Sequence, residues 1–136
     1  MYLWFSLIKE LMKPKILLLS LILLTSCNLK ETFKKYDEIN DDLKVTFSHN
    51  KINLNQHWGS DENDNYILIT FYDFNLESKS YKDLEKLSDK VIYRVLAKNT
   101  DYKKLDFIEV QFTNQDKSKD LDSYISFKMR HNRLNY

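Results

Sequence analysis

The chain has 136 residues, which suits one small domain and leaves no room for two of ordinary size. With 21 Lys+Arg against 20 Asp+Glu there is no basic excess to draw nucleic acid, and 43% hydrophobic residues with 14% aromatic ones exclude a disordered chain. One Gly and one Pro rule out a glycine-rich phosphate loop, and a lone Cys cannot form an internal disulfide.

The first element is a leader. From Met12, Lys13 and Lys15 form a positive flank, Ile16 to Leu24 is apolar except for Ser20, and the small residues Thr25 and Ser26 precede Cys27. That is the anatomy of an export signal. The apolar run falls short of the roughly 20 residues that span a bilayer. The tetrad Leu24-Thr25-Ser26-Cys27 resembles the lipobox of bacterial lipoproteins. The resemblance implies cleavage between Ser26 and Cys27 and a lipid on the Cys27 thiol. It also implies a place at the bacterial cell envelope, facing the periplasm or the exterior. A thiol suits that role because it is a soft, readily ionised nucleophile. Each buried lipid CH₂ contributes about 0.8 kcal/mol, so two or three acyl chains hold a domain of this size at a membrane. Residues 1–11, rich in Tyr, Trp, Phe and Leu, do not suit a polar leader start, and translation is expected to begin at Met12. Removing residues 1–26 takes Lys9, Lys13, Lys15 and Glu10 away and leaves a net charge of −1.

Residues 27–32 are read as anchor and short tether, and 33–136 as a single domain. Lys30, Lys34 and Lys35 lie near the anchor, but Asp37, Glu38, Asp41 and Asp42 follow at once, which favours a solvated face over head-group binding. Phe33, Tyr36, Ile39 and Leu43 are spaced as one face of a short helix. Leu43, Val45 and Phe47 then alternate with Lys44, Thr46 and Ser48, which predicts a strand. A turn at His49-Asn50-Lys51 leads to a second strand with Ile52 and Leu54 inward, so the pair reads as a hairpin. The polar stretch from His57 to Asn65 reads as a loop, anchored by a packed Trp58.

Tyr66 to Phe74 is the strongest predicted strand, apolar on both faces and therefore central. Tyr81, Leu84, Leu87, Val91, Ile92 and Val95 form the stripe of a long helix, with Ser80 and Asp83 as a capping box and Asn99 as the stop. Strands follow with Ile108, Val110 and Phe112 inward, and with Ile125, Phe127 and Met129 inward. The expected fold is α+β: an antiparallel sheet of four to five strands packed on one long helix, preceded by a short helix.

Chemistry is sparse. Asp61, Asn63 and Asn65 match the first three ligand positions of a calcium loop, but Tyr66 and Tyr72 stand where its Gly and bidentate Glu belong. No metal and no cofactor is assigned. His49, His57 and His131 have no metal-ligand spacing, and no nucleophile elbow surrounds any Ser. The sequence therefore points to a non-catalytic binding or structural module with an envelope protein as its partner. Its candidate surface is the second sheet face, where Tyr66, Tyr72, Phe74 and Tyr124 form an aromatic platform rimmed by Lys128 and Arg130. The competing arrangement has the first helix covering that face. Rival functions are a small envelope enzyme using His57 and Asp61, and an immunity or inhibitor lipoprotein.

Overall fold

A computed structural model describes residues 30–61, 64–118 and 120–130. The leader, the Met12 start, Ser26 and Cys27 lie outside the described residues, as does His131. Among the described residues, those up to Asp37 and those from Glu38 onward belong to two separate units. The second unit carries the sheet and the core.

Residues 30–46 are helical (α1), and 38–46 belong to this second unit. The helix therefore already includes residues 30–32 of the expected tether, and it does not stop at Leu43. The strand predicted for residues 43–48 is absent, and the expected hairpin goes with it. The reason is a conflict of periods. Leu43, Val45 and Phe47 alternate, but Ile39, Leu43 and Phe47 also recur every fourth residue, and that series is the one used. Ile39 and Leu43 are buried, Val45 is 80% exposed, and the Phe47 ring meets Phe71 edge-on at 6.1 Å. The helix closes through Phe47 N–H to the Leu43 carbonyl (2.9 Å) and His49 N–H to the Lys44 carbonyl (3.1 Å), with Ser48 left-handed at φ 48°.

Four strands follow: β1 (Ile52–His57), β2 (Tyr66–Phe71), β3 (Phe107–Phe112) and β4 (Ile125–Arg130). They lie in the order β1-β2-β3-β4. β1 and β4 are antiparallel to their neighbours, but β2 and β3 are parallel, so the sheet is mixed and has four strands among the described residues. The expectation of an antiparallel sheet is corrected by α2 (Tyr81–Lys98), which lies between β2 and β3 in the chain and supplies the crossover that a parallel pair requires. α2 starts as the sequence predicts: the Ser80 hydroxyl accepts the Asp83 N–H, and the Asp83 carboxylate accepts the Ser80 N–H. A 3₁₀ turn at Thr100–Lys104 then leads into β3.

The main core lies on one side of the sheet, and Phe107 is buried on the other. Its inward rows are Ile52 and Leu54 from β1, Ile67, Ile69 and Phe71 from β2, and Ile108, Val110 and Phe112 from β3, all buried. α2 buries Leu84, Val91, Ile92, Val95 and Leu96 and packs against β3 and β4. Asp42 fastens α1 to α2. It accepts both Arg94 Nε and Nη2 at 2.7 Å and lies 2.9 Å from Lys98 Nζ. The Arg94 guanidinium, helped by Lys98, holds the Asp42 carboxyl down at about 2.

Candidate functional site: the open sheet face

Side chains alternate along a strand, so the cross-strand register sorts the second face into rows. One row runs His57, Tyr66, Phe107, Arg130, and the next Asn55, Leu68, Glu109, Lys128. The first row is a stack of rings. His57 lies on Tyr66 at 4.4 Å and 13°, and Tyr66 lies on Phe107 at 4.5 Å and 11°. Lys128 caps the stack, its Nζ 4.1 Å from the Phe107 ring centre and 3.4 Å from Glu109 Oε2. The ladder thus crosses the sheet from β1 to β4. A cation over a ring face is attracted by the ring quadrupole. Gln111 donates from Nε2 to Glu109 Oε1 at 3.1 Å, which fixes the carboxylate that pairs with Lys128.

The opposite end of this face is occupied. The β3–β4 connection folds back across it: Lys117 Nζ donates to Asn53 Oδ1 (3.2 Å), Lys51 pairs with Asp116 (3.0 Å) and with Asp73, and Asp73 N–H reaches the Gln115 carbonyl (2.9 Å). The Ser118 backbone N–H and the Lys51 ammonium draw the Asp116 carboxyl down to about 2. Thr70 and Gln111 are buried beneath this end.

The six residues of the anticipated platform therefore do not form one patch. Tyr66, Lys128 and Arg130 gather at the open end. Tyr72 lies six residues along from Tyr66, roughly 20 Å at strand rise, and is buried. Tyr124, 50% exposed, adjoins the start of β4. Phe74 leaves the face altogether. β2 ends at Phe71, Asp73 adopts φ 50°, and the alternation is broken, so Phe74 packs on Phe112 (5.0 Å), Phe71 (5.9 Å) and His49 (5.6 Å). His49 Nε2 is 2.7 Å from the Tyr72 carbonyl oxygen; since that oxygen only accepts, Nε2 carries the hydrogen.

The face predicted from sequence lacks two members of the ladder, His57 and Phe107. Phe107 is legible, since it shares parity with Glu109 and Gln111. His57 is hidden because β1 extends one residue into the stretch that reads as loop. Trp58 beside it is not packed but 72% exposed. Gly59 is required by close approach: a Cβ there would collide with the Asp64 side chain. The loop is held by Gly59 N–H to Asn65 Oδ1 (3.3 Å) and Asn65 N–H to Asp106 Oδ2 (3.0 Å).

As for the rival constellation, His57 is engaged by the Tyr66 ring, and among the described residues it has no hydrogen bond to Asp61, which is exposed. Asn63 of the calcium-like stretch lies outside the described residues, and among those described no three His, Cys, Asp or Glu side chains gather as a metal site. No described helix is long and apolar enough to cross a membrane. No protein-family model matches the chain, and no curated protein or solved structure is detectably similar to it.

Proposed function

We propose that the chain is a membrane-anchored bacterial lipoprotein, held at the cell envelope by lipid on Cys27, whose folded unit is a non-catalytic module that binds an envelope protein. The reading of the anchor rests on Leu24-Thr25-Ser26-Cys27 with its basic and apolar flank. The observation that carries the binding role is the ring ladder His57–Tyr66–Phe107, capped by Lys128, on the second sheet face, where His57 is exposed, Tyr66 half-buried and Phe107 buried under its neighbours. Tyr and Trp are, with Arg, the side chains that most often dominate protein interfaces. Trp58, next to His57 in the chain, is exposed.

One experiment addresses both parts. The protein extracted from membranes is weighed intact, and its cross-linked partners are compared with those of Cys27→Ser, Trp58→Ala and Tyr66→Ala variants. The expected outcome is a chain beginning at Cys27 with acyl mass that is lost in Cys27→Ser. Partner capture should be at least about tenfold weaker in the two aromatic variants, without loss of fold. An unmodified Cys27 overturns the anchor, and unchanged capture overturns the use of this face.

A further inference from the structure

We infer that β4 is a docking edge for a second copy of this chain, paired antiparallel about a two-fold axis at Phe127. The inference stands apart from the binding role of the ladder face. β4 ends the sheet among the described residues, so one side of its backbone has no strand partner in the sheet. Such an edge is a template for pairing unless it is guarded.

Three observations indicate that it is unguarded and unfinished. The inward residues Ile125, Phe127 and Met129 are each partly exposed, whereas the inward residues of β2 and β3 are buried and those of β1 are 8% exposed or less, except Gln56. Tyr81, at the start of α2, is 64% exposed and lies 5.0 Å from the Phe127 ring, so an apolar strip runs from α2 out to the edge. Lys128, the residue type that usually protects an edge, is drawn back over Phe107 and paired with Glu109 instead of projecting past the strand.

The register selects the partner. A two-fold axis normal to the sheet keeps the helices of both copies on one side and pairs residues of equal parity. Centred on Phe127, it sets Phe127 against Phe127, Ile125 against Met129, Ser126 against Lys128 and Tyr124 against Arg130. Apolar meets apolar on the inward side, and no like charges oppose each other on the other. Centred one residue further, it would set Lys128 against Lys128, which like-charge repulsion disfavours. The strand is thus complementary to itself in the first register. Backbone hydrogen bonds would supply affinity, and the two inward rows would cover each other.

The test uses full-length protein extracted in detergent, with sedimentation equilibrium up to roughly 100 μM. A reversible dimer is expected. Ser126→Lys, at an exposed position, places Lys against Lys128 twice per dimer and should weaken association at least about tenfold, while Ser126→Glu should tighten it, with circular dichroism unchanged in both. A monomer at every concentration overturns the inference. So does a dimer indifferent to both substitutions, or a different protein co-purifying in place of the second copy.

Discussion

The two edge strands, β1 and β4, are both six residues long, and both run antiparallel to their neighbour. They are finished differently. Beneath β1, Ile52 and Leu54 are 4% and 8% exposed, and the β3–β4 connection lies across its outer face, with Lys117 on Asn53 and Asp116 paired with Lys51. Beneath β4, every inward residue is partly exposed, and its lysine is occupied with a ring and a carboxylate on the outer face. A charged residue in an edge strand does not by itself close that edge. What matters is where the charge goes and what lies under the strand.

The largest contrast should appear in core truncations. Ile52→Ala should cost about 2–4 kcal/mol and Ile125→Ala about 1 kcal/mol or less, because a partly exposed site leaves little cavity. Urea unfolding of both variants checks this, and equal costs would erase the distinction between the edges. Next comes the tie between α1 and α2. Asp42→Asn should destabilise by about 1–2 kcal/mol at neutral pH, a figure discounted for the solvent exposure of Arg94. The pH dependence has a definite sign. The Asp42 carboxyl sits at about 2 in the folded protein against an ordinary 3.8, so its contribution is complete above the higher value and is lost as pH falls through the lower. The stability gap between parent and variant should therefore close on going from about pH 5 to about pH 2. A gap that stays constant would show that Asp42 acts by packing. The smallest effect belongs to Lys128→Ala, which removes a partly exposed cation–ring contact of about 0.5–1 kcal/mol. A small shift in the thermal midpoint would agree, whereas a loss above about 2 kcal/mol would make Lys128 a structural element of the β4 side.

How far the sequence is legible depends on whether a signal is local. α2 can be read almost to the residue, because its stripe, its Ser80–Asp83 box and its Asn99 stop are all encoded within the segment. β3 and β4 announce themselves by alternation. Residues 43–47 satisfy two periods at once, and only burial of Ile39 and Leu43 in the unit decides between them. The parallel pairing of β2 with β3 is a property of the whole β2–α2–β3 segment and not of either strand alone. On the candidate face, parity correctly groups Tyr66, Lys128 and Arg130. It fails at Phe74 because one left-handed residue, Asp73, resets the alternation. It also gives no warning that a distant connection occupies the far end and that Tyr72 is buried.

The parallel pair at the centre of the sheet bears on how the molecule avoids uncontrolled growth. With β2 and β3 parallel and each flanked by an antiparallel neighbour, β1 and β4 run in the same direction. Copies stacked in one orientation, β4 against β1, would have to join through parallel strands, which pair somewhat less stably than antiparallel ones. An all-antiparallel sheet of four strands would offer the opposite arrangement, with open-ended antiparallel stacking available at both sides. Here antiparallel joining at β4 with all helices on one side requires a two-fold axis, which uses up that edge in the pair. The central strand direction thereby steers self-association at β4 towards two-fold pairing and away from head-to-tail stacking.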